Sequence, residues 1–354
     1  MATSECRKLR IAFIGAGGIA GTQMRCFQDM DDVEMVAMAD ISEAALERRS
    51  KEYDIDDCFA DYETMLSEVR PDAVSVCTPN GLHAPAAIAA LSAGAHVIVE
   101  KPLAMNASEG KAMLDAAGNH GRKLVIGFQH RFDPKAQFIR KAVDSGRLGR
   151  ILFGRVQALR RRGIPNWGVF GRKELQGGGP LVDIGVHVLE AVHYIMGAPK
   201  PVAASGNVFT YVGDRKSETV CRWPDWDHET YTVEDLAVGQ VRFEDGAVIH
   251  VESSFAAHIQ SDVWNFQLMG DRGGATWDPL SIARDDNGYM VNTEPGWLPK
   301  SGFESTFGAK LRNFVDHVLY NKPTLAPAEH GLMVQKMMDA IYLSAEKGRE
   351  VDIE

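Results

Sequence analysis

The stretch Leu9-Arg-Ile-Ala-Phe-Ile-Gly-Ala-Gly-Gly-Ile-Ala20 passes from a short apolar run directly into a glycine-rich turn. The apolar run predicts a buried strand, and residues 21–30 have the pattern of a helix. Between them, Gly15-x-Gly17-x-x-Ala20 has the spacing of a dinucleotide-binding turn. Gly15 permits the tight bend, Gly17 lets the backbone approach a pyrophosphate, and Ala20 lets helix pack on strand. The stretch therefore predicts a strand–turn–helix unit that holds a dinucleotide.

An acidic residue ends the next apolar run. Residues 33–39 read as a second strand, and Asp40 follows them at the distance from the glycine turn that the dinucleotide fingerprint requires. This carboxylate would accept hydrogen bonds from the adenosine ribose and repel a 2′-phosphate, which favours NAD over NADP. Arg48 and Arg49 could reverse that preference, although their spacing also suits the solvated face of a second helix.

Strand and helix patterns alternate as far as about residue 128. Apolar runs at 73–77, 97–99 and 123–127 predict buried strands, with a very short one at 58–60. Helical patterns at 62–69, at 81–93 and after the capping residue Asn106 separate them. Repeated β–α units with short loops predict a parallel, doubly wound sheet. We therefore expect an α/β fold with a dinucleotide-binding domain over residues 1–128.

Polar residues follow two of these predicted strands. Thr78-Pro79-Asn80 ends one run and Glu100-Lys101-Pro102 ends another, and ligands of open α/β sheets bind beyond the carboxyl ends of strands. Lys101 is therefore the first candidate for chemistry, although a lysine here could also cap the sheet edge or pair with Glu100. His83 follows the first strand end, where it could contact the cofactor or satisfy backbone groups at a helix start.

The pattern changes beyond residue 128. A helix from 132 to 145 is followed by a strand over 149–159 and by the run Arg160-Arg161-Arg162. Such a run is usually a solvated face, and the alternative is a clamp for an anion or a sugar. Asn166 and Trp167 could bring an amide and an aromatic face to a sugar ring.

A second decisive stretch runs from Gly177-Gly-Gly-Pro180 to His187. The glycines allow a close backbone approach, and Pro180 suits the first turn of a helix. Asp183 and His187 are four residues apart and share one face of that helix. They form a plausible proton-transfer pair, because an imidazole titrates near neutrality, although such pairs are often structural.

The remainder is rich in strands. Asp245-Gly246 between apolar runs predicts a hairpin, and residues 264–277 contain a second one, so we expect an antiparallel sheet of several strands. Amphipathic helices are expected over 310–320 and 329–346. The loop between Trp223 and Trp226 has no assignment. Residues 129–354 are thus expected to form a substrate-binding and oligomerisation domain.

Composition narrows the class of protein. The 354 residues carry a formal net charge of −10, which argues against nucleic acid or an anionic membrane as a main partner. The start lacks an apolar signal segment and no run is long enough to span a membrane, so a cytoplasmic location is expected. The scattered cysteines predict reduced thiols and no metal site: Cys6, Cys26, Cys58, Cys77 and Cys221.

These motifs together resemble the family of glucose–fructose oxidoreductase, myo-inositol dehydrogenase and rhizopine-catabolism (Gfo/Idh/MocA) proteins. The resemblance covers nearly the whole chain, including Arg131-Phe-x-Pro134 and the ending Ser344-Ala-x-x-Gly348. It implies a Rossmann domain followed by an α/β domain with an open, mostly antiparallel sheet, and a homodimer or homotetramer formed through that sheet. It also implies NAD(P)-dependent oxidation of a sugar or cyclitol hydroxyl.

The resemblance and the motifs assign the site. The catalytic residues are expected to be Lys101, Asp183 and His187. The residues expected to bind the cofactor are Gly15, Gly17, Gly18, Ile19, Ala20, Asp40, Thr78, Pro79, Asn80, His83, Glu100 and Lys101. The residues expected to bind the substrate are Lys101, Arg131, Arg160, Asn166, Trp167, Asp183 and His187. Glu190 stands where members often have Asp, which puts a minor substrate contact in doubt.

The predicted function is dehydrogenation of a secondary hydroxyl. His187 would act as the base, Lys101 as the cation that favours the alkoxide, and Asp183 as the group that positions substrate and imidazole. Three alternatives stay open: a glycoside-cleaving or epimerising enzyme that recycles bound NAD, an NADPH-dependent reductase, and a non-catalytic nucleotide sensor.

Overall fold

The computed structural model describes residues 7–354, so Cys6 lies outside the described part of the chain. The chain divides into two compact units. One contains the residues up to Gln129 together with Ser301–Glu329, and the other contains His130–Lys300 and His330–Glu354. The first division lies within two residues of the expected boundary at 128. The second unit differs from the continuous 129–354 domain of the sequence analysis, because residues 301–329 return to the first unit.

The first unit is built on a six-stranded parallel sheet, counted over its described residues, with the order β3-β2-β1-β4-β5-β6. Its strands are β1 (Leu9–Ile14), β2 (Val33–Ala39), β3 (Cys58–Phe59), β4 (Ala73–Val76), β5 (His96–Val99) and β6 (Leu124–Ile126). The helices between them are α1 (Gly18–Gln28), α2 (Glu43–Tyr53), α3 (Tyr62–Val69), α4 (His83–Ser92) and α5 (Ala107–Asn119). The order runs outwards in both directions from β1, which confirms the doubly wound fold and places a crevice at the carboxyl ends of β1 and β4.

The second unit contains a nine-stranded sheet within its described residues, in the order β14-β13-β12-β11-β7-β10-β9-β8-β15. Its strands are β7 (Ile151–Leu159), β8 (Pro201–Phe209), β9 (Leu236–Phe243), β10 (Val248–Ser254), β11 (Val263–Gly270), β12 (Gly273–Thr276), β13 (Ser281–Asp286), β14 (Tyr289–Thr293) and β15 (Val351–Asp352). Neighbouring strands pair antiparallel except β7 with β10, which pair parallel. The mostly antiparallel sheet and the hairpin at Asp245-Gly246 are thus confirmed.

Helices complete both units. They are α6 (Pro134–Asp144), α7 (Lys173–Gln176), α8 (Val186–Ile195), α9 (Phe303–Tyr320) and α10 (Ala328–Lys347). Helix α9 begins seven residues before the predicted start at 310 and packs on α1 of the first unit. Its buried residues include Phe307, Leu311 and Phe314, so this amphipathic helix covers apolar surface of the Rossmann domain rather than of the sheet that precedes it in sequence.

The helix predicted after Pro180 begins with a π-helical turn. The turn spans Leu181–Gly185 and continues into α8 without a break. A π turn is wider than an α turn and is common at functional positions. It changes the angular spacing of side chains around Asp183, which periodicity alone did not predict.

None of the helices within residues 7–354 combines the length and the apolar character that crossing a bilayer requires.

Candidate functional site

The glycine turn of the first unit has the shape of a phosphate cradle. Gly15 has a φ of +97°, and a Cβ there would lie 2.7 Å from the carbonyl oxygen of Cys77. Gly17 is the N-cap of α1, a Cβ on it would meet no atom within 4 Å, and this helix start has neither a side-chain cap nor an acidic residue in its first turn. Such free N–H groups at the positive end of a helix bind phosphate, so these residues fit a dinucleotide.

Asp40 braces the same turn. Its Oδ2 accepts a hydrogen bond from the Ala16 N–H at 2.7 Å, and its Oδ1 accepts one from the Ser42 N–H at 2.8 Å. A carboxylate has about four lone-pair sites, so each oxygen retains acceptor capacity for a ribose hydroxyl.

Arg49 does not lie on the solvated face suggested by its spacing, whereas Arg48 is exposed. The Arg49 guanidinium donates to the Gly17 carbonyl at 3.0 Å and pairs with Glu52 at 2.5 Å. Because it is engaged by the turn and by an acid, a 2′-phosphate would have to displace these contacts. The geometry therefore supports the preference for NAD.

Glu100 and Lys101, which follow β5, lie in different environments. Lys101 is partly exposed, whereas Glu100 is only 6% exposed. Glu100 Oε1 accepts hydrogen bonds from the Gln23 side chain at 2.6 Å and from Lys310 Nζ at 2.7 Å. The carboxylate of Glu100, one of the residues expected to bind the cofactor, is buried in protein and anchors the strand end that carries Lys101.

Lys310 of α9 is a residue that the sequence analysis missed. It is 1% exposed, and its ammonium lies 3.8 Å from the ring centroid of Phe307. Burial alone would raise the pKa of Glu100, but the Lys310 charge and the hydrogen bonds to Lys310 and Gln23 outweigh it, so that pKa lies below its usual value. The signal in the sequence was a lysine among the apolar positions of an amphipathic helix.

The side chain of His83, another residue expected to bind the cofactor, also has partners within the protein. It is 1% exposed. Its Nδ1 lies 2.8 Å from the Pro102 carbonyl oxygen and its Nε2 lies 3.0 Å from that of Thr78. Each ring nitrogen thus faces a backbone carbonyl, and a neutral imidazole can donate to only one of the two. Burial lowers the pKa of the imidazole, and the two carbonyls oppose that shift. His83 joins the two strand ends that carry Thr78 and Lys101, which is the backbone-satisfying role considered for it.

The strand end before His83 retains a polar group suited to a ligand. Thr78 Oγ1 is buried and has no hydrogen-bond partner within the described residues. A single 3₁₀ turn over Asn80–Leu82 then leads into α4, and Asn80 is buried whereas Pro79 is exposed. A buried hydroxyl without a protein partner at the carboxyl end of β4 fits the cofactor assignment of Thr78.

In the second unit two of the three glycines before Pro180, Gly178 and Gly179, lie close to protein groups. A Cβ on Gly178 would lie 2.1 Å from the Tyr342 hydroxyl, and one on Gly179 would lie 2.2 Å from the Glu234 carbonyl oxygen. The Glu234 carboxylate accepts hydrogen bonds from the Gly179 N–H at 2.9 Å, the Leu181 N–H at 3.2 Å and the Tyr342 hydroxyl at 2.8 Å. Glu234, which the sequence analysis did not single out, thus caps the π turn that carries Asp183.

His187 lies in an aromatic setting. Its ring centroid is 5.0 Å from that of His130 and 6.0 Å from that of Trp264, which is 37% exposed. Asp183, one α-helical turn earlier, is 7% exposed. His130 and Trp264 are far from His187 in sequence and have no motif spacing, so only the fold could identify them.

Arg131, one of the residues expected to bind the substrate, is enclosed by protein groups. It is 0% exposed, its Nε donates to Glu190 Oε2 at 2.7 Å, and its Nη1 donates to His330 Nδ1 at 2.8 Å. Glu190 is also 0% exposed, which removes the minor substrate contact considered for it. Burial raises the pKa of Glu190 to about 7 although Arg131 opposes the shift. Both residues belong to the core between α6, α8 and α10.

The residues expected to clamp the sugar lie close to one tryptophan. The Arg160 guanidinium carbon is 5.3 Å from the ring centroid of Trp223, and the ring of Trp167 is 4.6 Å from the same ring. Burial lowers the pKa of Arg160, and the negative charge of Asp183 opposes that shift, so Arg160 lies within the field of Asp183. Asn166 is exposed. The previously unassigned Trp223 loop therefore packs against the Asn166–Trp167 turn.

The described cysteines are not paired in disulfides. Cys26, Cys58, Cys77 and Cys221 are free thiols, and burial raises the pKa of Cys77 to about 12. No group of three His, Cys, Asp or Glu side chains within residues 7–354 is arranged to hold a metal ion.

Comparisons with known proteins agree with this geometry. Residues 9–128 match a model described as an oxidoreductase family with an NAD-binding Rossmann fold, and residues 140–353 match its C-terminal alpha/beta domain. D-glucoside 3-dehydrogenase of Escherichia coli (strain K12) is 37% identical over 348 residues, which are 98% of this chain and 97% of that protein.

Two further relatives extend the comparison. Levoglucosan dehydrogenase of Pseudarthrobacter phenanthrenivorans is 28% identical, over 86% of this chain and 85% of that protein. A levoglucosan dehydrogenase structure in complex with NADH and levoglucosan has a TM-score of 0.85 at 24% identity, covering 98% of this chain and 99% of that one. The structural likeness shows the shared fold.

Proposed function

The chain belongs to the Gfo/Idh/MocA oxidoreductase family, and we propose that it is an NAD-dependent dehydrogenase that oxidises a secondary hydroxyl of a sugar or sugar glycoside. The observation that carries the proposal is the 37% identity to D-glucoside 3-dehydrogenase along 98% of the chain. The chain carries Lys101, Asp183 and His187. The names of both relatives describe dehydrogenases that act on a sugar derivative.

The division of labour follows from the reaction. NAD, when bound, accepts the hydride that leaves the carbinol carbon. His187 takes the hydroxyl proton, since an imidazole is an efficient base near neutrality. Lys101 supplies a positive charge that stabilises the alkoxide as the proton leaves, and Asp183 orients the substrate and the imidazole. The roles of Lys101 and His187 are exchangeable in this scheme, because each can carry a proton.

The cofactor assignment rests on the first unit. The glycine turn, from Gly15 to Ala20, would hold the pyrophosphate, Asp40 the adenosine ribose, and the Thr78–Asn80 strand end the nicotinamide half. The uncapped start of α1 and the buried Thr78 hydroxyl support this arrangement. The engagement of Arg49 with Glu52 supports NAD over NADP.

We also propose an oligomeric state and a cellular location for the protein. We expect a homodimer or homotetramer formed through the open face of the nine-stranded sheet, acting in the cytoplasm on a small sugar. Met269 of β11 is exposed and lies on the strand face opposite to the buried Phe266 and Leu268, which supports a sheet-to-sheet contact. Light scattering of the purified protein tests the oligomeric state, with a monomer as the contradicting result.

The function is tested by NADH formation from NAD across alkyl glucosides, free aldoses, inositols and sugar phosphates, with NADP in parallel. We expect turnover with one sugar class and a clear preference for NAD. If no sugar gives NADH and the denatured protein releases nucleotide, the result would instead favour an enzyme that recycles its bound NAD.

The site is tested by Lys101→Met and His187→Asn. Each is expected to lower kcat by about 10² to 10⁴, the usual contribution of a positioned acid or base. Lys111→Met is the control, because Lys111 is an exposed α5 lysine paired with Asp115. Near-normal turnover in both site variants would contradict the assignment.

A further inference from the structure

Arginines from two separate segments meet in a pocket of the second unit. The pocket has a volume of about 720 Å³ and is lined by Arg161 and Arg162 from the turn after β7, by Arg222 from the Trp223 loop, and by His258 and Asp262. We call it the arginine pocket. Because the chain as a whole carries a net charge of −10, a concentration of positive charge here needs a physical reason.

The arginine pocket has little negative charge of its own. Asp262 is its acidic lining residue, and this carboxylate accepts a hydrogen bond from the backbone N–H of Arg161 at 2.6 Å. The Arg161 side chain donates to the Gln260 carbonyl at 3.2 Å. Elsewhere the guanidinium groups of Arg140 and Arg155 form ion pairs with carboxylates. Within residues 7–354, the side chains of Arg161, Arg162 and Arg222 form no ion pair of this kind with a carboxylate.

Arg162 shows most clearly that a guanidinium in this pocket lacks an acceptor. Its Nη2 donates to His258 Nε2 at 3.3 Å, whereas its Nη1 is buried and has no hydrogen-bond partner within the described residues. A buried charged donor without an acceptor destabilises the protein, because it has lost its water and gained no partner. A merely solvated face would leave that nitrogen in water, so its burial distinguishes this group from an ordinary surface charge run.

The arginine pocket is linked to Arg160 through Trp223. The guanidinium carbons of Arg222 and Arg160 lie 4.8 Å and 5.3 Å from the centroid of the Trp223 ring. Arg160 in turn lies within the electrostatic influence of both Asp183 and Arg222. The arginine pocket therefore adjoins Arg160, which is one of the residues expected to bind the substrate.

We propose that the arginine pocket binds an oxyanion, a phosphate or a carboxylate, that is attached to the sugar oxidised by this protein. Guanidinium groups suit this ligand because their planar fork donates two parallel hydrogen bonds to such a group. Arg162 Nη1 then gains its acceptor, and the repulsion between neighbouring guanidiniums is relieved. The inference deepens the proposed function and rests on it for the identity of the sugar, but binding of the anion can be measured without turnover.

The first experiment measures binding of inorganic phosphate to the full chain by isothermal titration calorimetry at low salt, with chloride as the comparison ion. The variants are Arg162→Gln and Arg222→Gln. The control is Arg215→Gln, because Arg215 is an exposed arginine of the same region that pairs with Asp214. We expect phosphate to bind the wild type and the control equally, and each pocket variant at least tenfold more weakly. Equal binding by all four proteins would overturn the proposal.

The second experiment compares a methyl glucoside, its 6-phosphate and the corresponding glucuronide as substrates. We expect at least a tenfold higher kcat/KM for one of the anionic sugars, and Arg222→Gln should remove that preference through KM while leaving turnover of the neutral glucoside unchanged. Phosphate binding without any preference for an anionic sugar would overturn the link to substrate. Absence of turnover with all sugars would reject the proposed function, while the calorimetry would still decide whether the pocket binds anions.

Discussion

At the scale of single residues, two buried titratable groups have opposite requirements. Glu100 needs Lys310 as a partner, whereas His193 must remain neutral because it is enclosed in the core of the second unit. Each case ties a protonation state to a particular contact. Each can be measured as a change in the free energy of unfolding.

Replacing Lys310 with Met is expected to destabilise the protein by about 3–5 kcal/mol, the usual cost of leaving a buried charge without its partner. The Glu100 carboxylate would lose its hydrogen bond from Lys310 and keep the one from Gln23. The measurement is urea-induced unfolding. The double variant Lys310→Met with Glu100→Gln should recover much of the loss, and a double variant as unstable as the sum of the single changes would contradict the pairing.

The stability of the second unit is expected to fall in acid through His193. Burial, together with the nearby charges of Arg131 and His330, lowers the pKa of His193 to about 3 from 6.5. Its Nε2 donates to the Pro199 carbonyl at 2.9 Å, and its Nδ1 is buried without a partner in the described residues. The unfolded chain therefore binds a proton that the folded chain excludes, so stability falls as the pH decreases from about 6.5 towards 3.

This contribution is isolated by His193→Gln, which can retain the donor to Pro199. Thermal unfolding of wild type and variant is followed at several pH values. The wild type should lose up to about 1.4 kcal/mol per pH unit more than the variant below pH 6.5. Parallel curves would show that His193 does not titrate in this way. The comparison also removes the opposite contribution of Glu190, whose raised pKa stabilises the fold as the pH falls below 7.

At the scale of elements, the turn between β1 and α1 shows why one glycine is required. Gly15 combines a φ of +97° with a Cβ position 2.7 Å from the Cys77 carbonyl oxygen. An alanine there is strained by backbone conformation and by contact with β4. The turn would have to move, and its N–H groups would no longer point to a shared anion.

Gly15→Ala is therefore expected to weaken NAD binding at least tenfold and to lower the melting temperature. NAD affinity is measured by calorimetry. Gly118→Ala in α5 is the matched control, because a Cβ at that helical glycine meets no atom within 4 Å. It should be neutral or stabilise by roughly 0.5–1 kcal/mol. Unchanged NAD affinity in Gly15→Ala would contradict the role assigned to the turn.

The elements also show what the sequence could and could not predict. The β–α alternation, the Asn106 cap and the Asp245-Gly246 hairpin were predictable, because each depends on neighbouring residues. The partners of Glu100, His83 and Arg131 were not, since the contacts of buried polar groups depend on chain segments distant in sequence. Their motif positions suggested ligand contacts, but the structure gives them partners within the protein.

At the scale of the whole molecule, residues 301–329 complete the nucleotide-binding unit. Helix α9 packs on α1, and Arg312 of α9 forms a bidentate pair with Asp32 at 2.6 and 2.9 Å. The Rossmann domain is therefore discontinuous in sequence. Its stability depends on a helix that follows most of the second unit.

Hydrogen exchange measured by mass spectrometry tests this division. Saturating NAD stabilises the part of the protein that binds it, so exchange should slow in the residues up to Gln129 and also in α9. The peptides of β13 and β14 in the second unit provide the comparison. If NAD protected α1 but left α9 unchanged, α9 would not belong to the same cooperative unit.

The position of Lys310 also has a consequence for biosynthesis. The lysine that neutralises Glu100 follows it by 210 residues in the chain. At a translation rate of about 5–20 residues per second, the ribosome adds this lysine roughly 10–40 s after the strand end it supports. During that interval the emerging Rossmann domain has a carboxylate without its counter-ion and an apolar surface without its covering helix. The N-terminal domain therefore matures after the domain that is synthesised second has largely emerged, so a cell that makes this protein must protect an incomplete nucleotide-binding domain during translation.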